Sequence, residues 1–301
     1  MKKAMIACAI LCVISLLSTV GFAAALGTQA VGGLFGPSGV ARQWWNEVRG
    51  NNISGQIGQQ IQQEIQDDDD APLQSTESLD FQAGETLTVR ADRGDIRLVK
   101  GTGDRVEVSL QQYAYGQLRE PVYTVSVQND SEVTLSSAEQ QGSGVKAVLE
   151  IRVPDQVKNI TVSTGIGDID ATGITPGTLT ATVTTGDAEL EYITADTVTV
   201  NVTTGDVSVD RNTNVGALQI AVVRGEVDYD VPAATPFTLN YAVTTGTVEF
   251  DDGVQRSYFV ESKRSGAGVS GKVTLSADGQ TTQTVSVQIE TGKLEVSNDM
   301  D

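Results

Sequence analysis

The chain has 301 residues, with 20 Lys and Arg against 39 Asp and Glu, and a formal charge of −19 that repels nucleic acid and anionic lipid surfaces. It contains no histidine, which removes the commonest general base, the commonest metal ligand and every Ser-His or Cys-His nucleophile pair. Its two cysteines, Cys8 and Cys12, both lie in the first apolar segment, so the rest of the chain has neither a disulfide framework nor a cysteine-based zinc site.

Residues 1–3 include Lys2 and Lys3, and residues 4–26 carry no charge. At about 1.5 Å per residue this run spans a hydrocarbon core of roughly 30 Å. The basic end predicts a single-pass membrane anchor with a cytoplasmic N-terminus and everything after it extracytoplasmic. A cleaved secretory signal is the competing reading, because Ala23-Ala24-Ala25 offers a small-x-small site; both readings export the remainder. Residues 27–77 read as a spacer. Its first part is rich in Gly, and then Ile53, Ile57, Ile61 and Ile65 recur every four positions among Gln and Asn, close in sequence to Trp44 and Trp45. An interfacial or coiled-coil stalk and a weakly ordered amphipathic spacer both fit, and Gly50, Gly55 and Gly58 interrupt either one. Asp67 to Asp70 close the spacer as a self-repelling acidic linker.

Residues 78–298 form the expected folded domain, followed by a tail at 299–301. One template recurs there. Gly205 is preceded by Val198, Val200 and Val202 and followed by Val207 and Val209. The same alternation surrounds Gly94, Gly167, Gly186, Gly225, Gly246 and Gly292, with Thr164 the one exception. Period-two alternation marks strands with one buried face, and Gly at the phase break turns the chain at φ > 0 without steric cost. The five central glycines, Gly167 to Gly246, lie 19, 19, 20 and 21 residues apart, the signature of stacked repeats. The expected fold is therefore all-β, a β-solenoid-like stack of strand–turn–strand units. Stacked hairpins satisfy the alternation too; the regular period favours coils. Between Val99 and Lys158 alternation continues without the glycine template, as strands that close one end of the stack. Residues 251–278 read as irregular.

The units carry Arg93-Gly94-Asp95-Ile96-Arg97-Leu98, then Val153-Pro154-Asp155 before the central repeats, and Thr-Thr-Gly-Asp turns at Gly186 and Gly205. With these motifs the chain resembles, over residues 80–297, the bacterial "putative adhesin" β-strand-repeat family of unknown function, whose fold is described as a toast rack. The resemblance implies an envelope-located domain, in some members linked to envelope-stress operons, and carries no catalytic residue over. Gly225, in Arg-Gly-Glu, and Gly246, in Thr-Gly-Thr, depart from the turn motif.

Asp168, Asp187 and Asp206 follow their glycines directly and form a row if the units stack in register. Neighbouring charges at about 4.8 Å in water repel by about 0.9 kcal/mol, which a calcium ion would relieve. These three are the candidates for calcium. Hydrogen bonding of Asp side chains to turn backbone explains them without a metal. Arg93-Gly94-Asp95 has the form of an integrin-binding tripeptide, yet its glycine and acid occupy template positions. Thr182, Thr184, Thr199 and Thr203 project from the outward phase, as an exposed strand surface or a regular ligand-facing array. The residues call for no cofactor and no catalytic site. The function they support best is a non-enzymatic binding, adhesin-like or sensing role toward an unknown envelope component or membrane protein. The alternatives are a carboxylate-dependent glycan-processing β-helix, since Asp187 and Asp206 meet the required carboxyl separation by stacking alone, and a purely structural envelope spacer.

Overall fold

The computed structural model describes residues 71–115, 118, 120–137, 144–210, 213–231, 237–251, 263–275 and 283–297. The expected anchor at 4–26 and residues 27–70 of the expected spacer lie outside the described residues, and the spacer's last residues, Leu73 to Glu77, already belong to the first strand of the domain, which therefore begins earlier than residue 78. Every described element is a β-strand. In chain order these are β1 (Leu73–Gln82), β2 (Thr86–Arg93), β3 (Asp95–Lys100), β4 (Arg105–Ala114), β5 (Tyr123–Gln128), β6 (Glu132–Ser137), β7 (Val145–Val153), β8 (Asn159–Ile166) and β9 (Ile169–Thr172). There follow β10 (Thr178–Thr185), β11 (Ala188–Glu191), β12 (Thr194–Thr204), β13 (Val207–Val209), β14 (Asn214–Asp230), β15 (Phe237–Phe250), β16 (Lys263–Leu275) and β17 (Gln283–Ser297).

Hydrogen bonding runs between units rather than within them. β10 pairs in parallel with β8 on one side and β12 on the other, while β11 pairs in parallel with β9 and β13. Each unit is therefore a coil with two legs joined at its glycine, not a hairpin. β14, β15 and β17 run through the corner as single long strands and supply both legs. The alternation predicted from the sequence places Val198, Val200 and Val202 inside with Val207 and Val209, while Thr199 and Asn201 face outward. Thr164, the exception to the template, is also buried, and its hydroxyl donates to the Gly94 carbonyl at 3.0 Å. A polar residue is tolerated inside because that one bond satisfies it.

The corners show why glycine is obligatory. Gly94, Gly167, Gly186, Gly205, Gly225, Gly292 and Gly246 form a column in that order, with φ from 125° to 152°. A Cβ on Gly205 would lie 1.9 Å from the Gly186 carbonyl oxygen, and one on Gly292 would lie 1.7 Å from that of Gly225. The glycines thus allow both the corner's conformation and the close seating of one coil on the next.

The stack does not follow chain order. The Gly94 coil packs on the Gly167 coil, since β2 pairs with β8 and β3 with β9. At this end the strands between Val99 and Lys158, joined by β1, close the stack: β6 and β5 extend the first leg, and β7, β4 and β1 extend the second. At the other end β17 sits between β14 and β15. Beyond β15 lies β16, antiparallel to it. The segment read as irregular therefore contains a long strand. Val269 and Val273 pack on the core from this strand, and at the position between them no side chain fits: a Cβ on Gly271 would meet the Tyr241 hydroxyl at 2.3 Å.

Gly205→Ala is expected to destabilise the domain by well over the roughly 1 kcal/mol of an ordinary glycine replacement. Gly103, at φ 89° with no atom within 4 Å of the place a methyl group would take, isolates the conformational part of that cost. Urea melts of Gly205→Ala and Gly103→Ala separate the two contributions, and equal losses would contradict the column.

Candidate functional site

At four successive corners the residue after the glycine donates its amide to the preceding coil. Asp95 Oδ1 accepts the Asp168 amide at 3.1 Å, Asp168 Oδ1 accepts that of Asp187 at 2.8 Å, and Asp187 Oδ1 accepts that of Asp206 at 2.7 Å. Asp206 Oδ1 accepts the Glu226 amide at 2.7 Å. The turn acids form the row expected from register, but each is bonded to the next coil rather than to its own turn. One oxygen of every carboxylate from Asp95 to Asp206 is engaged. This offsets the like-charge repulsion, because a hydrogen bond to a charged acceptor is worth about 1.5–3 kcal/mol. The row ends on a cation. Glu226 is paired in register with Lys293, whose Nζ lies 2.9 Å from Glu226, 3.5 Å from Glu249 and in contact with Glu295. Hydrogen bonds to Glu295 and Glu226 raise the Lys293 pKa above the ordinary lysine value.

A second row runs two residues further along the second leg: Asp170, Glu189, Ser208, Asp228, Glu295 and Glu249, with Arg97 at its head. Arg97 pairs with Asp170 at 3.3 Å. Asp95, Arg97, Lys146, Asp168, Asp187 and Glu189 border a solvent-open groove of about 280 Å³. Burial raises the Asp95 pKa, as does the charge of Asp168, against the lowering effect of the Asp168 amide and of Lys146 at 3.6 Å. Glu189 faces outward, yet packing thins the water around its carboxyl and Asp170, Glu191 and Asp210 add like charge, so its pKa is raised. Asp228 is raised in the same way, by partial burial and then by Asp230, Glu295 and Glu226.

The first leg presents a different outer surface. Thr161, Thr180, Thr199, Gln219, Ser286 and Asn240 form one cross-strand row. Thr182 and Thr184 are exposed beside Thr203, and Val223 is 43% exposed. One side of the stack is neutral and rich in hydroxyl and amide groups, and the other is acidic. A further open hollow of about 590 Å³ lies over β1, β4 and β7, where Asp80 pairs with Arg105 and Arg152 with Glu150. Arg93-Gly94-Asp95 is built into a corner, with Gly94 in the column and Asp95 bonded to the Asp168 amide and to Lys146. Among the described residues no group of His, Cys, Asp or Glu side chains is arranged to hold a metal ion.

Lys293 and the second acidic row are absent from a reading of the turns alone. Lys293 was legible as the position after a template glycine, but its acidic neighbours depend on β17 entering between β14 and β15.

Asp206→Asn retains the acceptor for the Glu226 amide and is expected to be nearly neutral, while Asp206→Ala should cost about 1 kcal/mol. If calcium held the row, Asp206→Asn would destabilise and chelator would lower the wild-type Tm; thermal melts of the three proteins with and without chelator decide it. Glu189 has a folded-state pKa above its unfolded value, so its contribution to stability is full below the unfolded pKa and is lost as pH rises through the folded one. Glu189→Gln should therefore raise Tm at neutral pH, with the gain vanishing as the pH falls below about 4.

The chain is similar to several solved structures at low identity. A putative cell adhesion protein from Clostridium sporogenes is 14% identical, with 75% of this chain and 100% of that one covered and a TM-score of 0.45. A putative adhesin from Bacteroides fragilis is 13% identical, with 74% and 97% covered and a TM-score of 0.40. A putative lipid binding protein from Parabacteroides distasonis is 8% identical, with 74% and 96% covered and a TM-score of 0.30. No curated protein matches the chain. The sequence profile of the family described as Toastrack DUF4097 matches residues 80–269, more than half of the chain. The coil stack is a toast rack, and the chain belongs to the Toastrack DUF4097 family.

Proposed function

We propose that the domain is a non-enzymatic display scaffold, exported and tethered to the membrane through residues 4–26, which binds or senses a component of the cell envelope. The observation that carries this reading is the engagement of the turn carboxylates. From Asp95 to Asp206 each holds the amide of the neighbouring coil, so the regular row is explained by the stacking itself. What the row leaves outside is two broad strand surfaces, one neutral and one acidic, suited to contact with an extended partner. The apolar run at 4–26 and the basic residues before it support the export and the tether.

Glycan hydrolysis is favoured by one observation, the raised pKa of Glu189 among like-charged neighbours, which is how a general acid is set beside an ionised carboxylate.

Full-length protein in mild detergent is expected to retain a specific envelope component over an inert membrane protein of equal charge. Thr182→Arg or Glu189→Gln should abolish retention according to the face that binds. No retention by the wild type would defeat the binding role. New reducing ends from envelope polysaccharide, lost in Glu189→Gln, would establish the enzyme instead. Protease added to intact spheroplasts should digest the domain; protection there would overturn the exported topology.

A further inference from the structure

The last repeat enters the stack out of turn. β15 follows β14 in the chain, yet β17 lies between them in parallel register with both, so that Gly225, Gly292 and Gly246 align. All three units carry the same alternation in the same phase. Their registers would also let β15 pair directly on β14, with Leu239 beside Leu218, Val243 beside Val222 and Val248 beside Val227. Among the five central glycines the spacing is longest, 21 residues, between Gly225 and Gly246. β14 and β15 thus form the two walls of a strand-wide slot.

The slot is selective. Its walls present Glu226 on one side and Glu249 on the other, and the Lys293 Nζ on β17 reaches both, at 2.9 and 3.5 Å. Each of the other six units has an acid or a threonine at the position that follows its glycine: Asp95, Asp168, Asp187, Asp206, Glu226 and Thr247. β17 alone places a cation there. Release of β17 would uncover Val285, Val287, Ile289, Leu294 and Val296, all buried in place. A surface that covers all five in register, accepts a glycine at the corner and matches the lysine is the same slot in another copy.

We propose that this slot is a strand-acceptor site for a second copy of the chain, with β17 of one molecule seated between β14 and β15 of another. Exchange conserves every rung: each molecule gives up one β17 and receives an identical one. The geometry requires no new interface, because the ladders that hold β17 within one chain are the ladders that join two.

Two tagged full-length chains test this, each with Cys8→Ser and Cys12→Ser. One carries Gln219→Cys on β14 and the other Ser286→Cys on β17, positions that pair directly across that ladder. Gln219 is exposed and Ser286 only partly buried, so neither cysteine enters the core. After co-expression and mild oxidation, a disulfide-linked heterodimer is expected, with a cross-linked peptide that joins positions 219 and 286. Its yield should be well above that from Thr199→Cys with Ser286→Cys. Thr199 lies on the same outer face but on β12, which pairs with β10 and β14 rather than with β17. Equal yields from the two pairs would mean chance collision, and no product from the first pair would mean that β17 stays in its own chain; either result overturns the proposal. Should one of these chains fail to fold, Ala221→Cys with Gln288→Cys reads the same ladder.

Discussion

The distance at which one coil sits on the next is set at the corners, by the glycine carbonyls. A carbonyl oxygen of each corner glycine occupies the space where a side chain of the following one would begin. With that approach permitted, the two legs on either side fall into parallel register at the ordinary spacing of about 4.8 Å, and the apolar residues inside meet their equivalents. Valine stacks on valine between Val183 and Val202 only because the corner imposes no wider gap. The core, the ladders and the alignment of the outer rows all follow from this one contact.

Alignment brings a cost that the same alignment repays. Equivalent residues lie over one another, so acids in a repeat become columns of like charge. In the corner row the acid is also the hydrogen-bond acceptor for the neighbouring amide, a donor at the turn where the strands break. The row therefore ties coils together at the edge where the strand ladders are interrupted. In the second acidic row burial and like charge dominate, and the carboxyl groups of Glu189 and Asp228 respond by resisting ionisation. The two rows use the same residue types, and what sets them apart is the backbone amide that each corner carboxylate from Asp95 to Asp206 receives.

Most of the architecture was legible in the sequence because a repeat announces itself locally: seven glycines, each with its flanking alternation, identify the legs, the corners and the buried positions without reference to distant residues. What was not legible depends on long-range order. The position of β17 leaves no mark within its own fifteen residues except Lys293, whose meaning requires knowing that Glu226 and Glu249 lie on either side. β16 is inconspicuous in the sequence because Gly271 interrupts its inward-facing Val269 and Val273, and Gly266 and Gly268 fall in the same short stretch. The turn acids were recognised as backbone acceptors, but the sequence does not distinguish a bond to the same turn from one to the neighbouring coil. The division of the surface into a neutral and an acidic side was present in the alternate residues of each leg and emerges only when the legs are laid side by side.

The place of β17 also has a mechanical meaning. Thirteen of its residues are in register with β14 and thirteen with β15, all running in the same direction. A pull along this strand loads both ladders in shear, so that many hydrogen bonds must yield together. β16, beyond β15, is held by a single ladder among the described strands and can be peeled from it bond by bond. A force transmitted through the chain at β17 would thus meet the stack at one of its most resistant points rather than at its rim.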